Sequence, residues 1–327
     1  MNDIVVPYVA EGLSPMLAPN KLLITDIPMS SISFPKLCST KYNGVRGIFM
    51  KGRFYSRAGK LLRIPSQLLK ELAPTLEWAD SHHYVLDGEL NSNSLNTTGE
   101  TMSILAGTIP LPEDFQYKIF YVIPYKLWNN PANATMEMLL STSVFLAPSC
   151  RVELVKQVKI STPEEFSVLV QGSQYSGKEG YMLLNPQGQY KHGRCTVKED
   201  ILLKYKYYGD TEDAKIVDIT TRQARKEDVV TGRTVFGYAK PVYKKEAFED
   251  TDVGGCLVGK INGIGESINI PFPINYPVST RKLALSRFGT GLPGDLQGKW
   301  VTFRRLACED RNKPIAIKNV EFRDDKD

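Results

Sequence analysis

The spacing of hydrophobic residues changes after Tyr208-Gly209-Asp210, and this change limits the folds that the chain can adopt. Before it, stretches with helical spacing, such as Pro65 to Trp78, alternate with short apolar stretches such as Gly180 to Leu184. After it, about half a dozen short alternating segments follow one another, separated by glycine and polar turns. We therefore predict an α+β chain with two domains. Residues 1–210 would combine antiparallel sheets with helices, and residues 211–327 would form a small β-barrel.

Composition excludes several classes of protein. The 327 residues are 42% hydrophobic, enough for a sizeable core, and the net charge of +5 is only a mild bias toward polyanions. The five cysteines form no CxxC pair, so neither a disulfide framework nor a zinc site is expected. No apolar run approaches the roughly 20 residues of a membrane span. We expect a cytoplasmic protein that does not bind membranes.

The segment Lys41-Tyr42-Asn43-Gly44-Val45-Arg46 is the first candidate for chemistry. A lysine leaves a strand, a glycine allows the backbone to turn, and an arginine follows five residues after the lysine. A lysine is a good nucleophile only when neutral, which requires burial or nearby positive charge. Attack on a nucleotide phosphorus would give a phosphoramide. The alternative is an ordinary surface hairpin with basic residues.

Four further segments carry chemically useful side chains at strand ends. Asp87-Gly88-Glu89 offers carboxylates for a metal or a ribose hydroxyl, and Glu179 precedes an apolar strand. Phe120 and Tyr121 lie in a strand, and one of their rings could stack on a base, although core packing is the usual role of such residues. Lys204 and Lys206 share one face of a strand, where a phosphate would relieve their repulsion.

The order of these segments resembles the successive motifs of the covalent nucleotidyltransferases, which are DNA ligases, RNA ligases and messenger-RNA capping enzymes. Finer features resemble small ATP-dependent DNA ligases of phages and viruses. They are Pro15 to Ala18 before the lysine, Ser56-Arg57 on the hairpin, the run from Tyr190 to Arg194, and the terminal Arg323-Asp324-Asp325-Lys326. Two features depart from the family. Asn43 replaces the usual aspartate, and the basic stretch before the last motif is irregular.

The resemblance implies an adenylation domain of the ATP-grasp-like type followed by an oligonucleotide-binding (OB) barrel, with ATP and Mg²⁺ as cofactors. Lys41 would carry AMP, and the enzyme would use it to seal nicks in duplex DNA. The protein would act as a monomer, in the host cytoplasm if a phage encodes the chain. The implied roles of the side chains are Arg46 and Glu89 at the ribose, Phe120 on adenine, Glu89 and Glu179 as metal ligands, Lys204 and Lys206 at the α-phosphate, Arg57 and Arg194 at the DNA, and Arg323 and Lys326 at pyrophosphate.

Three alternatives stay open. An RNA ligase and a capping guanylyltransferase share the lysine motif, although the β-rich tail fits an RNA ligase less well and Ser56-Arg57 argues against a capping enzyme. The third alternative is a non-catalytic nucleic-acid-binding protein that kept the fold, and Asn43 is the feature that favours it. From Lys215 to Lys245, eight basic residues against three acidic ones predict a stripe that follows DNA phosphates, or else a solvated face.

Overall fold

The structure is a computed structural model. It describes residues 14–24, 26–94, 98–131, 134–142, 146–173, 179–209, 211–225, 230–233, 239–241, 248–261, 266–305 and 317–323. The chain divides into two compact units, one comprising Met1–Lys206 with Gly232–Lys240 and the other Tyr207–Thr231 with Pro241–Asp327. The domain boundary that the sequence predicts after residue 210 remains a prediction. No helix in the described ranges is long and apolar enough to span a membrane.

The elements up to Lys206 mix helices and strands, as the sequence predicts. In chain order they are β1 Met16–Leu17, β2 Lys36–Lys41, β3 Val45–Met50, β4 Arg53–Tyr55, α1 Ser66–Ser81, β5 Tyr84–Asn91, α2 Thr98–Ala106, β6 Gln116–Pro124, α3 Tyr125–Asn129, α4 Met136–Thr142, β7 Val152–Leu154, β8 Val158–Ile160, α5 Pro163–Ser173, β9 Gly180–Leu184, β10 Gly193–Arg194 and β11 Leu202–Lys206, with a 3₁₀ turn at Met29–Ser31.

Two sheets organise this unit. One has the strand order β4-β3-β5-β6-β7 and the other β11-β9-β2-β8. Alternation along β3 sends Phe49 into a core with α1 and α2, whereas Ile48 faces a second core that includes Leu184 of β9 and Leu202 of β11. One face of the five-stranded sheet therefore packs against helices. Its other face contributes to a core shared with strands of the second sheet.

Helix α1 continues through Pro74 to Ser81, although a proline inside a helix can bend or end it. Leu72 and Leu76 on either side of Pro74 are buried, so packing favours a continuous helix. Pro74 itself is exposed, and water can satisfy the carbonyl that it leaves without an N–H partner. Thr162 caps the start of α5, because its Oγ1 accepts a hydrogen bond from the Glu165 N–H at 3.2 Å.

The elements after Lys206 are mainly strands. They are β12 Glu212–Arg225, β13 Val230–Arg233, β14 Ala239–Pro241, β15 Phe248–Ile261, β16 Ser267–Pro271, α6 Val278–Arg287, β17 Trp300–Arg305 and β18 Ile317–Arg323. Five of them form a sheet of order β16-β15-β12-β17-β18. Among the described residues no strand pairing closes this sheet into a barrel, so the β-rich tail is confirmed and the closed barrel is not.

Sequence analysis did not predict α6. Ala284 is its one buried position within the described residues, so it has no apolar stripe to reveal it. Alternation in the sequence also predicts a strand from Thr234 to Ala239, but this segment lies mostly outside the described residues, as does part of the basic stretch from Lys215 to Lys245.

Candidate functional site

Lys41 and Lys206 meet at one carboxylate. Lys41 ends β2 and Lys206 ends β11, and both pair with Gly180 on the strand between them. Glu179, one residue before, reaches both amines. Its Oε1 lies 2.6 Å from Lys206 Nζ, and its Oε2 forms a short ion pair with Lys41 Nζ. Two ammonium groups that would repel each other are thereby held together by one negative charge.

The charge of Glu179 is stabilised by this pairing. Burial works to raise the pKa of its carboxyl, but the positive charges of Lys41 and Lys206 outweigh burial and hold the pKa below its usual value. At neutral pH this carboxylate is therefore ionised and paired with both amines.

Gly180 permits this close arrangement. Its φ of +154° lies in a region that side chains rarely adopt, and an added Cβ would lie 2.0 Å from the Tyr205 carbonyl oxygen. Any larger residue would push β11 away from β9, and with it Lys206.

A second group of side chains lies on the five-stranded sheet. Arg46 of β3 donates to both carboxylate oxygens of buried Asp87, at 2.6 and 2.7 Å. Its guanidinium also lies 5.0 Å from the centre of the Phe120 ring. An irregularity in the β5–β6 register leaves Phe120 between the paired residues Ile119 and Tyr121, and such bulges redirect side chains. The predicted residues Arg46 and Phe120 are thus in contact.

Glu89 is placed directly opposite Arg46 across β3 and β5. Burial raises the pKa of its carboxyl to about 7, although the positive charges of Arg46 and Lys41 act in the opposite direction. Near Glu89, a glycine at position 44 lets the backbone approach β5 closely, since an added Cβ would lie 2.4 Å from the Leu90 carbonyl oxygen. The sequence argument had given this glycine a role in a backbone turn, and it lies in the short connection between β2 and β3.

Asn43, the departure from the family pattern, accepts a hydrogen bond from Thr98 Oγ1 at 2.9 Å. Thr98 is the first residue of α2, so the side chain of Asn43 contacts the N-terminal end of a helix. An aspartate at this position could accept the same hydrogen bond, and its charge would be favourable at this end of the helix dipole.

The other predicted residues have different surroundings. Lys204 lies on β11 and is half-buried. Arg57 is exposed in the turn after β4. Arg194 is exposed, and its Nη1 donates to the Ala18 carbonyl at 2.7 Å. In the second unit, Arg323 lies 3.3 Å from the Asp213 carboxylate, and Lys326 falls outside the described residues.

Sequence reasoning missed one pairing and one residue beside the site. It did not predict that Asp87 binds Arg46, because that pairing is diagonal across two strands and depends on register. It also missed Lys118, which is 1% exposed and directly opposite Glu89 on β6. A lysine inside an otherwise apolar strand was the available signal for this residue.

The described residues contain no group of three or more metal-ligating side chains that could hold an ion. The negative charge of Glu179 contributes to raising the pKa of the Glu89 carboxyl. Mg²⁺ is commonly bound by one or two carboxylates together with substrate phosphates, rather than by a complete protein cage. The two carboxylates fit that kind of site.

Comparison with known proteins supports the fold. No family model and no curated protein matches the chain. A solved Lig E DNA ligase is 18% identical and aligns over 96% of this chain and 100% of its own, with a TM-score of 0.64. A structure named Pmar-Lig is 17% identical over 95% of this chain and 67% of its own, with a TM-score of 0.63. An adenylate form of the Chlorella virus DNA ligase is 22% identical over 94% and 99%, with a TM-score of 0.46.

The likeness to the Lig E structure extends over nearly the whole chain. The chain therefore has a ligase-like fold that mixes helices and sheets, as the sequence predicted. More particularly, it is similar in fold to a Lig E DNA ligase.

Proposed function

We propose that the chain is an ATP-dependent DNA ligase that seals nicks with a 5′-phosphate and a 3′-hydroxyl through a lysyl-AMP intermediate at Lys41. The observation that supports this most directly is the contact of Lys41 with Lys206 through Glu179, at the end of three paired strands in a ligase-like fold. The site combines a nucleophilic amine, a second cation for a phosphate, and a carboxylate within reach of both.

The first step joins Lys41 to AMP. Lys41 Nζ must lose a proton before it attacks, and Glu179 is the carboxylate within hydrogen-bonding reach of it. The neutral amine then forms a bond to the α-phosphorus of ATP, and the bond from that phosphorus to pyrophosphate breaks. Lys206 and Lys204 stabilise the charge that builds on the α-phosphate oxygens.

The nucleotide would bind across the two sheets of the first unit. Phe120 stacks on adenine, and Arg46 and Glu89 bind the ribose. Asp87 fixes the guanidinium of Arg46 through two hydrogen bonds, so that the arginine needs little reorganisation when the nucleotide arrives. Mg²⁺ would be held by Glu89 and Glu179 and would reduce the negative charge of the phosphates.

The second and third steps act on DNA. AMP passes from Lys41 to the 5′-phosphate at the nick, where the guanidinium of Arg57 binds that phosphate. The 3′-hydroxyl then attacks the activated phosphorus, a new phosphodiester forms, and AMP leaves. Arg194 contacts the DNA backbone, whereas Arg323 and Lys326 assist departure of pyrophosphate in the first step.

DNA is held mainly through its phosphates, because an enzyme that joins any sequence gains nothing from reading bases. The β-rich residues after 210 serve as an OB-fold domain in this proposal. The protein acts as a cytoplasmic monomer on nicked duplex DNA.

The test uses a nicked duplex with a labelled 5′-phosphate strand, and it supplies ATP or GTP with Mg²⁺. We expect a longer labelled strand with ATP, at a yield far above that with GTP. A parallel substrate with RNA strands distinguishes an RNA ligase, and preference for GTP would indicate a capping-type enzyme. Binding of the duplex without any joining would favour the non-catalytic alternative and contradict the proposal.

A further inference from the structure

The residue that follows Lys41 is held by a second charged cluster. Tyr42 donates its hydroxyl to Glu153 Oε1 at 3.1 Å, and the ammonium of Lys118 lies 4.1 Å from the centre of the Tyr42 ring. Lys118 is also 3.6 Å from Glu153 Oε2. Each residue contacts the other two, and we refer to Tyr42, Lys118 and Glu153 together as the Tyr42 clamp.

Lys118 is an unusual part of this cluster because its side chain is 1% exposed. Burial lowers the pKa of its ammonium, although Glu153 acts against that shift. A buried cation is tolerated only where its N–H groups and charge find partners. Here Asn93 Oδ1 accepts a hydrogen bond from Lys118 Nζ at 2.7 Å, and the ring of Tyr42 offers its electron-rich face.

The Tyr42 clamp is connected to the reacting amine. Lys41 Nζ lies 3.5 Å from the carbonyl oxygen of Tyr42, so the backbone that the clamp holds is one of the acceptors around that amine. Lys118 is also the residue directly opposite Glu89 on the neighbouring strand. The clamp therefore lies next to Lys41 and on the strand position opposite Glu89, and it takes no part in the chemistry assigned above.

We propose that Lys118 and Glu153, acting through Tyr42, position Lys41 for attack on the α-phosphate. This inference rests on the proposed function and adds positioning residues to it. A misplacement of about 1 Å at a reacting atom can cost roughly 100-fold in rate. Because the clamp has no assigned contact with ATP, its loss should lower the maximal rate of adduct formation and leave the apparent affinity for ATP nearly unchanged.

The experiment compares single variants of the full chain in adduct formation from labelled ATP at several ATP concentrations. Tyr42→Leu removes the ring and the hydroxyl, and we expect at least a tenfold lower maximal rate with less than a threefold change in KM. Lys118→Met should behave similarly, whereas Lys118→Arg retains the cation and should recover most of the rate. Tyr125→Phe is the matched control, since it removes a hydroxyl that accepts from the Lys51 N–H at 2.8 Å, away from the clamp.

A second measurement does not require adenylation. Lys41 is labelled with an amine-selective acylating reagent, and its modification is followed by peptide mass spectrometry. We expect Tyr42→Leu to change the labelling rate of Lys41 at least threefold, with Lys70 as an exposed internal reference. If the unmodified protein forms no adduct, the proposed function fails, yet this labelling still tests the positioning role.

Two results would overturn the inference. One is a Tyr42→Leu variant with normal adduct formation and normal Lys41 labelling. The other is a set of clamp variants whose rate losses simply follow their loss of thermal stability, with no recovery in Lys118→Arg. That second result would show that the clamp only stabilises the fold.

Discussion

The surroundings of Glu89 and Glu179 shift the pKa values of these two carboxyls in opposite directions. Glu179 is paired with two lysines and stays ionised, whereas burial raises the pKa of Glu89 to about 7. Pairs of carboxyls whose pKa values are shifted apart are common at functional sites. In the proposed reaction, Glu179 is ready to accept a proton, and Glu89 becomes charged when a cation or the ribose arrives.

The raised pKa of Glu89 predicts a pH-dependent stability. A carboxyl whose pKa is higher in the folded protein contributes stability below its unfolded value of 4.5, and this contribution is lost as the pH rises through about 7. We expect the free energy of unfolding of the natural protein, relative to Glu89→Gln, to fall between about pH 5 and pH 8. Urea unfolding at several pH values measures this difference, and a flat difference would contradict the assignment.

Asn43→Asp should keep or increase the activity. Aspartate can accept the hydrogen bond from Thr98 that Asn43 accepts now, and its charge would lie at the start of α2. The measurement is the rate of adduct formation from labelled ATP. A loss of more than about tenfold, equal to about 1.4 kcal/mol of barrier, would mean that the amide is required here.

At the scale of elements, three paired strands bring the lysines together. The β2–β9–β11 pairing places Lys41 and Lys206 on either side of Gly180. The distance between the two amines therefore depends on how closely these strands approach, and Gly180 sets that approach on one side.

Gly180→Ala should destabilise the protein by about 2–4 kcal/mol, because the new Cβ would overlap the Tyr205 carbonyl at a backbone angle that alanine rarely adopts. Adduct formation should fall as well, since Lys206 would move with β11. Gly172→Ala is the control. It lies in α5 with open space around the new Cβ, and it should stabilise by about 0.5–1 kcal/mol. Equal effects of the two changes on stability would argue against a strained contact at Gly180.

The sequence predicted β9 at its observed bounds, because an apolar run that begins at a glycine is a local signal, but it did not predict the short strands β7 and β8. It also selected Lys41, Glu179 and Lys206 individually. It did not reveal that Glu179 bridges the two lysines, since that depends on the register of three strands far apart in the chain. The bulge that places Phe120 beside Arg46 is likewise set by tertiary packing.

At the scale of the whole molecule, the proposed reaction assigns different steps to different residues. Arg57→Ala should form the adduct normally but transfer AMP poorly to the nick, because its exposed guanidinium is the proposed ligand of the 5′-phosphate. Lys326→Ala should do the reverse, slowing adduct formation while still sealing DNA that already carries a 5′-adenylate. Single-turnover assays of both steps measure this. Equal impairment of both steps by Lys326→Ala would mean that its role at pyrophosphate is wrong.

The central claim is that Lys41 becomes covalently linked to AMP. The most direct test incubates the protein with ATP and Mg²⁺, digests it, and locates the added mass by peptide mass spectrometry. We predict one adenylated peptide containing Lys41, stable to base and labile to acid, and no adduct in Lys41→Ala. An adduct on another residue, or an unchanged adduct yield in Lys41→Ala, would contradict the account.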